Sequence, residues 1–168
     1  MKKLTLVING RGGVGKDTLC EVAAARYRVK NISSITPIKA LAAQCGWAGE
    51  KTDAARRFLA ELKRLTVEYN DYPTRWVLAE REAFLAGDEQ ILFVHIREAE
   101  EIRKFVAATG GEARTLLIRA DRRLGAHTYG NPSDDLVEDY PYDYYFSNDG
   151  TPAEAAEDFL AFLAGILA

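Results

Sequence analysis

Several features that would place a chain outside the ordinary globular class are missing. Only two cysteines, Cys20 and Cys45, occur in 168 residues, too few for a disulfide framework and without the CxxC spacing of a zinc site. Both read as small packing residues on helices. No apolar run approaches the roughly 20 residues that cross a bilayer, and Leu4–Ile8 is too short for a secretion signal. The expectation is a cytoplasmic protein with no membrane partner. Charge of one sign is scarce too: 22 Lys and Arg face 25 Asp and Glu, a net of −3. No broad field draws nucleic acid, so basic residues that matter act locally. Repeats, low-complexity tracts and linkers are absent, and the length fits one domain, 1–168, able to bury its own core.

What is present is an alternation of strands and helices. Leu4–Ile8 is a short apolar run ending at Asn9-Gly10, as a strand buried on both faces requires. A glycine-rich turn and a helix over Asp17–Tyr27 follow. Val29–Ile35 reads as a second strand, and Thr36-Pro37 opens a helix toward Cys45. From Thr52 to Asn70 the residues Ala55, Phe58, Leu59, Leu62, Leu65, Thr66 and Tyr69 form one stripe at helical spacing. Asp71-Tyr72-Pro73 starts another helix, closed by Gly87. Ile91–Val94 is a third strand, Glu98–Thr109 a helix, and Thr115–Ile118 a fourth strand. Arg119–Pro132 reads as a loop, Tyr142–Phe146 as a fifth strand, and Pro152–Leu167 as a last helix capped by Thr151. This order predicts an α/β domain with a mainly parallel sheet and right-handed crossovers. Ligands then bind at the carboxyl ends of strands, which selects Gly10–Thr18, His95–Glu98 and Arg119–Asp135.

The sharpest motif is Gly10-Arg11-Gly12-Gly13-Val14-Gly15-Lys16, which matches GxxxxGK between a strand and a helix. Its glycines let successive backbone N–H groups turn inward as a nest for phosphate oxygens. The following helix adds its N-terminal partial charge, and Lys16 a mobile cation for the β and γ phosphates. Arg11, Gly12, Gly13, Val14, Gly15, Lys16, Asp17 and Thr18 are therefore the expected nucleotide-binding residues. Asp17 stands where Ser or Thr usually ligates magnesium. A carboxylate there would meet the ion directly or through its waters, while Thr18 remains available to a phosphate oxygen.

On these residues the chain resembles the P-loop kinases of the nucleoside-monophosphate-kinase type. Gly15-Lys16-Asp17-Thr18 is similar to the GKDT ending in deoxynucleoside monophosphate kinases of bacteriophages, and a GKD variant occurs in animal-type phosphomevalonate kinases. Val94–Ile102 is similar to a strand-end D-V-R…E-A-E-x-I segment, with His95 in place of the acidic residue. Tyr142–Thr151 is similar to the last strand and its N-D-G-T turn. The resemblance implies a three-layer P-loop NTPase fold, with a five-stranded parallel sheet in order 2-3-1-4-5. It further implies a helical acceptor-binding insertion at about 37–88, a lid at about 119–135, and ATP with Mg2+. It also implies that Asn148-Asp149-Gly150 lies against adenine; a plain turn before the capped helix is the alternative.

Phosphoryl transfer needs cations around the moving group and exclusion of water. Arg119, Arg122 and Arg123 stand where lid arginines of such kinases stand; plain surface charge is the alternative. Arg97, after the third strand, offers a bidentate fork for an acceptor phosphate, or a salt bridge to Glu98 or Glu101. His95 is a proton acceptor, a base reader or a satisfied structural histidine. Arg57 and Arg64 are candidate acceptor-binding residues, though their four-residue pairs with Glu61 and Glu68 would equally lace a solvated face. Asp71 is either a pocket carboxylate or the cap of the next helix. The expected activity is transfer of the γ-phosphoryl of ATP to a small phosphorylated acceptor, a nucleoside or deoxynucleoside monophosphate first. The alternatives are a kinase of another small metabolite, phosphomevalonate-like, and a nucleotide-binding module without turnover.

Overall fold

Strand β1, Leu4–Asn9, is buried along its whole length, because it lies at the centre of the sheet with neighbours on both sides. The computed structural model describes residues 2–124 and 136–168. Its strands are β1, β2 (Val29–Ser33), β3 (Ile91–His95), β4 (Arg114–Arg119) and β5 (Tyr144–Ser147). They run parallel in the order β2-β3-β1-β4-β5, the order expected above.

Alternation along each strand divides the core into two layers. On one face Leu4, Leu6, Ile8, Ile91, Phe93, Leu116 and Ile118 meet helices α1 (Lys16–Ala24) and α7 (Pro152–Leu167) through Leu19, Ala23, Phe159 and Leu163. On the other, Val7, Leu92, Val94 and Leu117 meet α4 (Tyr72–Ala86) and α5 (Ala99–Ala108) through Val77, Phe84, Ile102 and Phe105. Phe84, Phe93, Phe105 and Phe159 are fully buried; each such side chain removed from water contributes roughly 1.5–3 kcal/mol. Thr151 caps α7 by a reciprocal capping box with Glu154, where the sequence places the cap.

Helices α2 (Thr36–Gln44), α3 (Asp53–Asn70) and α4 occupy the stretch between β2 and β3. Thr52 caps α3 by accepting the Ala55 N–H at 3.1 Å. Asp71 has φ 54, a left-handed conformation that Asp tolerates, and this single residue reverses the chain from α3 into α4. The apolar stripe of α3 is only partly covered. Ala55 is buried, whereas Phe58, Leu65 and Tyr69 are 39%, 53% and 86% exposed. The reason is architectural: α3 packs on α2 and α4, and two helices hide less of its girth than a sheet face would.

Several boundaries differ from the sequence reading by a few residues, those of β4 and β5 among them. Strand β4 continues to Arg119 because Arg119 pairs with Ser147 and its carbonyl accepts the Asn148 N–H at 2.6 Å. A short helix, α6 (Asp121–Leu124), then replaces the start of the expected loop. Strand β5 begins at Tyr144 rather than Tyr142. Just before it, the Asp143 carboxylate accepts the Thr115 N–H at 2.9 Å and the Thr115 hydroxyl at 3.0 Å.

Candidate active site

At the carboxyl end of β1 the backbone leaves the sheet where no side chain fits. A Cβ on Gly10 would lie 2.7 Å from the Ile118 carbonyl oxygen and 2.8 Å from a Val14 methyl. Gly13 and Gly15 have φ of 83 and 90, the left-handed region that glycine enters without strain. Gly15 sits at the cap of α1 with no side-chain cap bond, and the N-terminal end of that helix, where partial positive charge gathers, opens on the loop. Across the loop Lys16 donates its Nζ hydrogen to the Gly10 carbonyl at 2.5 Å. From the far side the Asn148 amide donates to the Val14 carbonyl at 2.8 Å. Asn148 thereby fastens the turn after β5 to the phosphate loop.

A cleft of about 960 Å³ runs from this loop across the ends of β2 and β3 to α3, at the upper end of small-molecule sites of roughly 300–1,000 Å³. Its floor is the segment from Arg11 to Thr18, including Gly12, Gly13, Val14, Gly15, Lys16 and Asp17. Opposite lie Ser33 at the end of β2, Ser34 just after it, Lys39 from α2, Leu59, Ala60 and Lys63 from α3, and Arg97 after β3. Lys63 is fixed: its ammonium meets Glu101 at 2.8 Å and Glu98 at 3.4 Å. Burial works against that charge, but the Glu101 and Glu98 carboxylates outweigh it and raise the Lys63 pKa above the ordinary lysine value.

His95 closes β3 and lines the cleft. Its Nε2 lies 2.7 Å from the Asn31 side-chain oxygen and 3.9 Å from Cys20 Sγ. Burial lowers the His95 pKa; the Asp17 carboxylate pulls the other way, and Lys16 and Arg97 add to the lowering. The imidazole is therefore neutral at pH 7. Burial pushes the Cys20 thiol up to about 12, leaving it a packing residue rather than a nucleophile.

The remaining sequence candidates lie elsewhere. Arg119 bonds Glu138 at 2.9 Å and stacks 4.6 Å above the Tyr145 ring, beside a narrow crevice it shares with Arg11 behind the phosphate loop. Arg122 is exposed on α6, and its N–H donates to Asp149 at 2.9 Å. Arg123 follows on the same helix, its side chain lying outside the described residues, as do residues 125–135 of the expected lid. Arg57 and Arg64 are not among the cleft residues. Seven positions apart, they share an exposed side of α3, where Arg64 pairs with Glu61 at 3.0 Å and Glu68 at 2.9 Å. Asp71 makes no side-chain cap bond; its carboxylate accepts from Lys104 at 2.9 Å, away from the cleft wall.

Ser33, Ser34, Lys39 and Lys63 were not among the sequence candidates. The strand-end rule that selects the ends of β1, β3 and β4 applies equally to β2 and would have found Ser33 and Ser34, whereas Lys39 lies further on, in α2. Lys63 had no such signal, since charge on an amphipathic helix does not say which charged side faces a cleft. Among the described residues no three His, Cys, Asp or Glu side chains converge as a metal cluster. No described helix is long and apolar enough to cross a membrane.

No protein-family model and no curated protein matches the chain. Solved structures do. The Deinococcus radiodurans tunicamycin resistance protein superposes with a TM-score of 0.59 at 15% identity, over 96% of each chain. The Thermus thermophilus protein TT1252 gives 0.57 at 18% identity over 100% of each chain. A Chloroflexus aurantiacus structure named as a candidate kinase gives 0.52 at 14% identity, over 98% of this chain and 97% of its own. At such identities the likeness is one of fold: a three-layer P-loop domain with the sheet in order 2-3-1-4-5.

Proposed function

We propose that the chain is an ATP-dependent phosphotransferase acting on a small anionic acceptor, a nucleoside or deoxynucleoside monophosphate first. One observation carries the reading. A single cleft joins the phosphate loop to a wall bearing Lys39 and Arg97, with the Lys63 trio behind it. Triphosphate on the loop and an anion at that wall would bring donor and acceptor side by side in one cleft, and placement is most of what phosphoryl transfer asks of a protein.

Loop amides and Lys16 receive the β and γ phosphates, and Arg97 and Lys39 orient the acceptor. Arg119, Arg122 and Arg123 remain the candidate lid cations only if the β4 side moves toward the cleft, since Arg119 is paired with Glu138 beside the loop. Among the described residues the acceptor wall offers aliphatic Ile35 and Leu59 rather than a Phe, Tyr or Trp ring. A base there would be held by its edges, with Asn31 and His95 as the hydrogen-bonding pair. Asp17 and Thr18 at the mouth of α1 suit Mg2+, a hard cation that pairs one or two carboxylates with substrate phosphates rather than seeking an all-protein cage. When bound, the ion neutralises charge on the triphosphate; the residues that would hold it are Asp17 and Thr18.

Incubation with ATP, Mg2+ and a panel of monophosphates tests this. The expected products are ADP and one diphosphate, with the acceptor KM raised in Lys39→Ala and Arg97→Ala. Slow, acceptor-independent ATP loss alone would defeat the acceptor assignment. One observation favours a second reading, a nucleotide-binding module without turnover: β3 ends in a neutral imidazole where the kinases it resembles have a carboxylate. Tight ATP binding with no ADP formed on any acceptor would select it.

A further inference from the structure

At the back of the cleft lies a largely buried polar chain that begins at Asn9. Asn9, the last residue of β1, is 1% exposed. Its side-chain oxygen accepts the Gly10 N–H at 2.9 Å. Its amide nitrogen donates to the Arg97 carbonyl at 3.0 Å and to the Tyr142 hydroxyl at 2.8 Å. Tyr142, 6% exposed, donates in turn to the Val137 carbonyl at 2.6 Å.

Every hydrogen in this chain has a forced direction. A backbone N–H only donates and a backbone carbonyl only accepts. Gly10 therefore fixes the Asn9 oxygen, and Arg97 fixes the Asn9 nitrogen, so the amide cannot flip. The Tyr142 hydroxyl must accept from Asn9 and give its own proton to Val137. Burial pushes the Tyr142 hydroxyl pKa up to about 12, which keeps that proton in place at any working pH. A network with one allowed arrangement, all partners satisfied, holds its ends rigidly.

We propose that Asn9 and Tyr142 are positioning residues that lock together the first turn of the phosphate loop, the Arg97 backbone and the segment at Val137. The assignment rests on the phosphotransferase reading above. Gly10 begins the loop that would cradle the triphosphate. Arg97 is the cation of the acceptor wall on the neighbouring strand end. The Asn9 side chain bonds to both, so it sets the spacing between the donor and acceptor halves of the cleft. Tyr142 extends the same frame to Val137, on the far side of β4. A shift of about 1 Å in such a frame is costly to transfer between two bound groups.

Asn9→Ala and Tyr142→Phe in the full chain test the proposal, with ATP affinity measured by calorimetry and the acceptor KM by initial rates. Asn9→Ala removes three bonds. Both ATP Kd and acceptor KM should rise about tenfold, as loss of a buried polar anchor predicts. Tyr142→Phe keeps the bonds to Gly10 and Arg97 and should shift both about threefold. A merely structural role would lower the melting temperature and the binding-competent fraction while leaving Kd and KM unchanged. That result would overturn the proposal; should Asn9→Ala fail to fold, unchanged constants in the isosteric Tyr142→Phe would do so alone. ATP binding by the wild type without turnover sinks the kinase reading and leaves the frame to be judged on ATP Kd. No ATP binding at all sinks both.

Discussion

The two walls of the cleft are built by opposite means. On the phosphate-loop side the ligand-facing groups are largely backbone. Their directions follow from glycine conformations, a close approach to Ile118, and anchors at Asn9 and Asn148. On the α3 side the cleft-facing groups are side chains on an amphipathic helix that rests on two other helices and leaves part of its apolar stripe in water. The first wall suits a ligand that never changes, the polyphosphate. The second is a surface on which residues can be exchanged without disturbing the sheet, which suits the part of the site that sets specificity.

If that contrast holds, the largest loss comes from the loop. Lys16→Ala should lower turnover by at least about a hundredfold, the scale for removing one preorganised charge from a transition state, with circular dichroism unchanged. Retention of a tenth of the wild-type rate would mean that Lys16 does not face the transferred group. Gly10→Ala breaks the same wall by sterics, since its methyl meets the Ile118 carbonyl. It should cost roughly 1–3 kcal/mol of stability by urea denaturation.

Legibility in the sequence follows the same division. GxxxxGK is readable because each glycine answers a backbone need that no other residue meets, so identity and spacing carry geometry. The sheet order was expected from the family resemblance alone; strand runs such as Leu4–Ile8 and Ile91–Val94 announced buried parallel strands but not their order. The α3 wall was harder. Its periodicity marks a helix, but rotation about the helix axis is fixed by α2 and α4, so Arg57 and Arg64 were as good candidates as Lys63. The stripe at Phe58, Leu65 and Tyr69 likewise promised burial that the packing does not supply. Asn9 and Tyr142, 133 positions apart, meet only through the fold, and no local pattern announces them.

On the helical wall the most consequential residue is Lys63. Glu101 is 7% exposed, and one of its oxygens already has no hydrogen-bond partner. Removing the lysine would strand a buried carboxylate. Lys63→Met should destabilise the protein by about 3 kcal/mol, and Lys63→Met combined with Glu101→Met should recover most of it. Equal losses in the single and double variants would show that the stranded Glu101 charge is not what the loss of Lys63 costs.

Between the walls, His95 offers a pH signature. Its folded pKa lies below the ordinary 6.5, chiefly because it is buried. Below pH 6.5 the unfolded chain takes up a proton that the folded His95 resists, so stability is full above that pH and is lost as pH falls toward the folded pKa. His95→Gln should therefore flatten the decline in melting temperature between pH 6.5 and pH 5 while leaving the value at pH 8 nearly unchanged. An unaltered slope would place the imidazole in water rather than against α1.

The smallest effect is the one that tests how open the helical wall is. Tyr69 is 86% exposed and Leu65 53%, so neither side chain hides enough area for its loss to matter. Tyr69→Ser and Leu65→Lys should each change stability by no more than about 0.5 kcal/mol. The same change at Phe84, which is fully buried, would cost several times more, roughly 3–5 kcal/mol on truncation to Ala. A loss at Tyr69 or Leu65 approaching that of Phe84, and growing with protein concentration, would mean that a second copy covers the stripe. The acceptor wall would then belong to an interface, and the contrast between a fixed loop and an adjustable helix would have to be drawn again with both copies present.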